Sequence, residues 1–219
     1  MKVHLKTTNA QSLYKNLQFP LTLYRIYPQN IKVMANTPSN MLPLGTIAPN
    51  FKLLDTTLEK YISLQELKGS KGTVIMFICN HCPFVKHLNT EIVKTATEYQ
   101  TKDISFIAIS SNDAENYPQD APHLMKLISV EQKYSFPYLY DETQEVAQAY
   151  EAACTPDFYL FDANLKLVYR GQFDDSRPGN GIPVTGNDLK AAMDSLLEGK
   201  EINANQKPSM GCNIKWKKQ

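Results

Sequence analysis

At 219 residues and a formal net charge of +1, the chain suits one domain of ordinary size with an extension. Its near-neutral charge excludes a global nucleic-acid footprint, and its four cysteines are too few to staple a chain long enough to bury its own core. It has no apolar run of about 18 residues, the length that a membrane-spanning helix needs, so no membrane partner is expected.

Charge is unevenly spread. Residues 1–54 carry Lys2, Lys6, Lys15, Arg25, Lys32 and Lys52 and no Asp or Glu. An acid-free start is one mark of an organellar transit peptide. A single arginine, few serines and no secretory apolar core favour a plainer reading. Residues 1–40 are then a basic, poorly ordered extension before a cytoplasmic protein whose functional start is Met34. A domain over residues 41–200 and a tail over 201–219 complete the chain.

Residues 41–55 are a Pro/Gly-punctuated lead into a short apolar stretch. Thr73 to Ile78 reads as a buried strand, and within it Val74 to Ile78 is an unbroken apolar run, as expected of a central strand covered on both faces. From Pro83 to Tyr99, Val85, Leu88, Ile92, Ala96 and Tyr99 recur at helical spacing. Ile104 to Ile109 reads as a second buried strand, ending in the polar loop Ser110-Ser111-Asn112-Asp113. Ala121 to Gln132 reads as a helix, Phe136 to Tyr140 as a short strand and Glu142 to Tyr150 as a short helix. Strands over Asp157 to Phe161 and Leu165 to Arg170 are joined by Asp162-Ala163-Asn164, which is hairpin chemistry. In the last helix Thr185 and Asp188 form a capping-box pattern; Leu189, Ala192, Met193, Leu196 and Leu197 make the apolar stripe, and Gly199 marks the stop. This strand–helix alternation with a terminal hairpin predicts an α/β fold: a three-layer α/β/α sandwich with a central mixed sheet.

Between the first buried strand and its helix stands Cys79-Asn80-His81-Cys82. A C-x-x-C at a strand–helix junction is a redox signal, since two cysteines so spaced can join as a disulfide; they can also share a metal. Together with Thr155-Pro156, it gives the chain a resemblance to the thioredoxin superfamily, and within that to its peroxiredoxin-like branch, the alkyl hydroperoxide reductase/thiol-specific antioxidant (AhpC/TSA) group. The segments FICNHCPFVKH, CTPDFYLFD and YRGQFDDSRPGN and the tail PSMGCNIKWK resemble one redoxin subfamily. The resemblance spans about residues 41–200. It implies the thioredoxin-like fold, a cis bond before Pro156, and a Thr155-Pro156 backbone that faces the dithiol and presents itself to a substrate's extended chain.

The chain departs from both parent patterns. Thioredoxins favour Gly-Pro between their cysteines, where this chain has Asn80-His81. Peroxiredoxins carry an activating Pro and Thr seven and three positions before the peroxidatic cysteine; those positions hold Ile75 and Cys79 for Cys82, and Gly72 and Met76 for Cys79.

Only a thiolate attacks a disulfide or peroxide, and a helix N-terminus stabilises it. If Pro83 is the first helical residue, Cys82 is the N-cap and gains most. If the helix starts near Asn80, Cys79 is the exposed nucleophile. The helix rule favours Cys82 and the disulfide chemistry implied by the resemblance favours Cys79; Cys79 is expected to attack and Cys82 to resolve, with the alternative open. A His81 imidazolium between them would make the couple more oxidising, against a plain reading as a solvated histidine. His87 reads as a helix-surface residue. Cys154, two residues before Pro156, is a third redox partner or a small buried hydrophobe. Cys212, in a tail anchored by Trp216, is an accessory resolving thiol or an idle cysteine. Asp174-Asp175 before Arg177-Pro178-Gly179-Asn180 reads as a tight loop. Tyr138 and Tyr140 read as sheet residues, and Lys215, Lys217 and Lys218 as a solvated end.

The expected function is therefore a thiol–disulfide oxidoreductase or antioxidant redoxin cycling Cys79 and Cys82. It would act on a protein or small-molecule disulfide or peroxide, with a thiol reductant and no cofactor. A thiol peroxidase using Cys82 or Cys79 is the first alternative. A zinc or copper(I) module built from Cys79, Cys82, Cys154 and His81 or His87, or a non-catalytic binding module of this fold, is the second.

Overall fold

A computed structural model describes residues 36–218; the expectations for residues 1–35, including the Met34 start, lie outside the described residues. The first elements are β1 (Asn36–Pro38), β2 (Lys52–Asp55), β3 (Lys60–Ser63), α1 (Leu64–Leu67) and β4 (Gly72–Phe77). Next come α2 (Pro83–Gln100), β5 (Ile104–Ser110), α3 (Pro122–Glu131), β6 (Tyr138–Tyr140) and α4 (Glu145–Ala149). The last are β7 (Cys154–Thr155), β8 (Asp157–Asp162), β9 (Leu167–Gly171), α5 (Asn187–Leu197) and β10 (Met210–Asn213).

Period-two alternation within apolar strands builds the layers. All six residues of β4 are buried. Its Val74 and Met76 pack with α2, α3 and α5 on one face, through Val85, Leu88, Ile92, Met125, Leu189 and Met193. Its Ile75 and Phe77 pack on the other face with Leu64 of α1, Ala147 of α4 and Tyr150. Burying one such aliphatic or aromatic side chain stabilises the fold by about 1.5–3 kcal/mol. The sheet between these layers runs β3-β2-β6-β5-β4-β8-β9. β4 pairs parallel with β5 and antiparallel with β8, and β8 with β9 is the predicted hairpin. Its turn is held by Asp162, whose carboxylate accepts from the Asn164 and Lys166 amides at 2.9 Å each. The architecture is the expected three-layer α/β/α sandwich with a mixed central sheet.

The start of α5 differs from its sequence pattern. Gly186, at φ 71°, is the N-cap, and no side chain caps the helix. The carboxylate of Asp174 takes the Thr185 and Gly186 amides instead, at 2.6 and 2.7 Å. The Thr185–Asp188 box therefore does not form, and Asp188 accepts from Gln172 at 2.7 Å. Gly199, at φ 65°, ends the helix as its place in the sequence predicts.

Among the described residues, the segments flanking the expected domain depart most from expectation. β1 falls inside the expected extension and β10 inside the expected tail, and together with β7 they form a second sheet in the order β1-β10-β7. In it Cys212 pairs with Thr155 and Asn213 with Cys154. Beyond β10 the Ile214 amide donates to Ala153 O at 3.1 Å, and Ile214 is buried whereas Trp216 is 41% exposed. Ile214, not Trp216, is the apolar anchor.

Gly211 sets how close β10 comes. A Cβ at this position would run into the Thr155 carbonyl oxygen, so the requirement is for space. Gly211→Ala is expected to cost about 1–3 kcal/mol by overpacking and to lift β10 from β7. Urea unfolding should show a lower midpoint, with faster alkylation of Cys212 in the native protein; an unchanged midpoint would refute the close approach.

Candidate active site

Cys79 follows β4, where the Ile78 amide still donates to Ile109 O at 3.0 Å, and Cys82 is the N-cap of α2 with Pro83 as the first helical residue. The C-x-x-C loop is anchored by one buried carboxylate. Asp120 Oδ1 accepts the Asn80 amide at 2.8 Å, while Oδ2 is 2.6 Å from His81 Nδ1 and 2.8 Å from the donating Asn112 Nδ2. The Asn80 side chain donates to Gln119 O at 2.9 Å and accepts from the Tyr138 hydroxyl at 3.1 Å. The His81 ring lies parallel to that of Tyr117 within 7°, the centroids 5.9 Å apart. His81 is therefore a held residue of the loop, not a solvated one.

Asn112 carries this anchorage to the tail, its Oδ1 accepting the Lys215 amide at 2.8 Å. The Asp113 amide and the Gln144 side chain both donate to Lys215 O, at 2.8 and 2.9 Å. Asp120, Asn112 and Tyr117 escaped the sequence reading. The only signal was the polar 110–113 loop, and nothing in residue spacing ties Asp120 to a loop about forty positions earlier.

All four cysteines are free and buried. Cys79 Sγ lies 3.5 Å from Thr155 Oγ1 and 3.9 Å from His81 Nδ1, and the Thr155–Pro156 bond is cis. The Cys82 thiol donates to Thr155 O at 3.1 Å when protonated. Its sulfur is 2.7 Å from that of Cys212. The β7 edge that the resemblance assigns to a substrate's extended chain is thus occupied by the protein's own β10. Cys154 is directed at Pro156 O, 3.6 Å away, and burial pushes its thiol well up. His87, expected at the surface, is half-buried with Nε2 2.7 Å from Ser176 Oγ.

The sulfurs differ sharply. Hydrogen bonds from Cys212 and then Cys79 pull the Cys82 thiol far below its ordinary range. The Val85 amide at the start of α2 acts in the same direction, without closing a cap hydrogen bond. Cys79 is pushed well up by its hydrogen bond to Cys82, then by burial and the Asp120 charge. Cys212 is pushed up for the same first reason. Cys79 lines a cleft of about 280 Å³ with Asn80, Lys86, Asn89, Glu131 and Tyr134. A larger cleft of about 520 Å³ is lined by Phe51, Tyr61, Tyr140 and Val146 and lies away from the sulfurs.

Of the proposed metal ligands only Cys79 and His81 come together, and their ligand atoms and one of Asp120, which was not among those proposed, lie within 4.8 Å of one another. This S/N/O set would suit a borderline divalent ion, but both Asp120 oxygens are already committed to loop donors. Cys82, Cys154 and His87 are turned to other partners.

A C-x-x-C ahead of a helix, below a cis-proline on a mixed sheet covered on both faces, defines a thioredoxin-like redoxin. Residues 44–170 match the AhpC/TSA family, and the chain belongs to it. An uncharacterized conserved protein from Geobacillus kaustophilus is 59% identical, with a TM-score of 0.84 over 85% of this chain and 98% of that one. A hypothetical protein from Sinorhizobium meliloti 1021 is 46% identical, with a TM-score of 0.81 over 84% and 100%. Peroxidoxin BcpB from Mycobacterium tuberculosis shares the fold at 15% identity, with a TM-score of 0.54 over 72% and 97%. Among curated proteins none matches the chain. Among the described residues no helix is long and apolar enough to cross a membrane.

Beneath β7, burial raises the Asp157 carboxyl to about 7, against about 3.9 unfolded. Below pH 4 both states hold the proton and the residue costs nothing. Above it the unfolded chain ionises first, so stability falls by about 1.4 kcal/mol per pH unit until about pH 7. Urea unfolding of Asp157→Asn against the wild type should show an advantage for the variant that grows from pH 4 to 7 and then levels. An advantage independent of pH would contradict this.

Proposed function

We propose that the protein is a thiol–disulfide oxidoreductase that cycles Cys79 and Cys82. The supporting observation is the division of labour between the sulfurs: Cys79 borders the cleft, while the fully buried Cys82 is the sulfur whose ionised form is stabilised. Cys79 is the sulfur pushed up and Cys82 the one pulled down, so in this reading the pair holds one proton between them, carried by Cys79. As Cys79 attacks a substrate disulfide its proton passes to Cys82, and the first substrate sulfur leaves as thiolate. Cys82 then attacks Cys79 of the mixed disulfide; the second substrate sulfur leaves with the Cys82 proton, and a Cys79–Cys82 disulfide remains. Two electrons pass from the dithiol to the substrate, and an external thiol reductant returns them. This retains the expected roles of attacker and resolver while assigning the thiolate to Cys82.

With β10 on the β7 edge, the substrate favoured is a small disulfide and not an extended protein chain. Four free cysteines suit a reducing compartment such as the cytoplasm. The N-cap position of Cys82 favours a second reading, a thiol peroxidase in which Cys82 becomes a sulfenic acid. Ile75 and Cys79 in place of the activating pair weigh against it.

Wild-type protein recycled by dithiothreitol should reduce oxidised glutathione, and Cys79→Ser should lose at least about 100-fold in rate. An unchanged rate in Cys79→Ser would remove the proposal. Hydrogen peroxide consumption that survives Cys79→Ser, with a mass-detected sulfenic acid on Cys82, would favour the peroxidase.

A further inference from the structure

We infer that Cys212 is a second resolving thiol, and that the oxidised protein stores its oxidation as a Cys82–Cys212 disulfide with Cys79 returned to the thiol. The inference rests on the Cys79–Cys82 chemistry proposed above. Three independent features bring the two sulfurs together. Gly211 lets β10 approach the Thr155 carbonyl closer than any side chain would permit, and the register then sets Cys212 opposite Thr155. The strand is held from both sides, by β1 and by β7. The Asp120–Asn112–Lys215 chain of hydrogen bonds anchors the C-x-x-C loop and the tail to one support. The result is a 2.7 Å sulfur–sulfur contact between free thiols, from which a sub-ångström displacement reaches the bonded separation of about 2.05 Å.

The exchange balances without a further reactant. The Cys212 sulfur attacks Cys82 of the Cys79–Cys82 disulfide, the Cys79–Cys82 bond breaks, and Cys79 leaves with the proton that Cys212 gives up. One disulfide is consumed and one is formed. All three sulfurs are buried, but of them only Cys79 lines the cleft, so the exchange moves the oxidised bond away from it. β10 thereby holds the place of an extended disulfide substrate and supplies its sulfur from within the chain. The residues matching the AhpC/TSA family end at 170, well before this partner.

Disulfide mapping tests the inference without turnover. The full-length protein is reduced, treated with one equivalent of diamide, blocked with N-ethylmaleimide and digested with trypsin. Cys79 and Cys82 fall in one peptide, Gly72–Lys86. The expected product links that peptide to the one containing Cys212, with N-ethylmaleimide on Cys79. In Cys212→Ser the link should move to within Gly72–Lys86. In Cys79→Ser the Cys82–Cys212 link should still form although glutathione reduction is lost. A predominant Cys79–Cys82 link in the wild type, with Cys212 alkylated, would overturn the inference, as would a link from Cys79 to Cys212. If Cys79→Ser still reduces glutathione at the wild-type rate while the wild-type map is as expected, the dithiol cycle has failed and the Cys82–Cys212 pairing has not. The wild-type map decides the pairing even where a variant does not fold.

Discussion

The approach of β10 to the Thr155 carbonyl is the contact on which the site depends. It is possible only because residue 211 has no side chain. It determines which backbone covers the cis-Pro156 segment, which sulfur meets Cys82, and how much of the dithiol a substrate can reach. Without β10 the 154–155 edge would be an open row of backbone donors and acceptors, the kind of edge that pairs with another extended chain. With it, the pairing is satisfied internally and the reactive sulfurs lie in a buried site whose cleft admits an approach beside Cys79.

Burial changes what such a cluster can do. A lone thiolate in an apolar site is costly, and burial does oppose the ionisation of Cys82. Two thiol donors outweigh it because hydrogen bonds to an ionised acceptor are stronger than neutral ones. The same bonds raise Cys79 and Cys212, since a proton shared with a thiolate is harder to remove. These opposed shifts favour negative charge on Cys82 over its two neighbours, at the helix N-terminus, where unpaired amides also favour it. The helix rule and the disulfide chemistry pointed to different cysteines because one concerns where charge is favoured, at Cys82, and the other which sulfur borders a cleft, Cys79.

The legible parts of the fold were those carried by local pattern. Val74 to Ile78, a continuous apolar run, and Ile104 to Ile109, apolar but for Ser105, became central strands; the spacing of Val85, Leu88 and Ile92 gave α2, and Pro83 marked its first residue. The illegible parts depend on distant partners. β1 and β10 span three and four residues, too few for a period, and β10 contains a glycine, which reads as a turn until its neighbour is known. Thr185 and Asp188 have capping-box spacing, but Asp174 took the amides first. Trp216 looked like the apolar anchor by size, yet Ile214 is the residue buried in the core, packed with Leu64, Phe77 and Tyr150, while Trp216 is 41% exposed. At the site, the cysteines and Thr155-Pro156 were legible as types, whereas the pairing of Cys82 with Cys212 was set by a contact across 130 positions.

The residues between the two cysteines have a structural reason in the anchorage below them. An Asn at position 80 uses its amide, its side-chain nitrogen and its side-chain oxygen on three partners, Asp120, Gln119 and Tyr138. A Gly-Pro pair has no side-chain donor or acceptor for the last two of these. His81 adds a ring held by Asp120 and faced by Tyr117. The Asn-His pair thus trades the rigidity that a proline gives a loop for rigidity borrowed from the Tyr117–Asp120 turn. That turn is joined through Asn112 to the same tail that carries Cys212, so the loop bearing Cys82 and the strand bearing its partner are held by one connected set of hydrogen bonds. Sulfur–sulfur exchange demands a nearly linear arrangement of attacking, central and leaving sulfurs, and a common support of this kind is what the proposed exchange among Cys79, Cys82 and Cys212 requires.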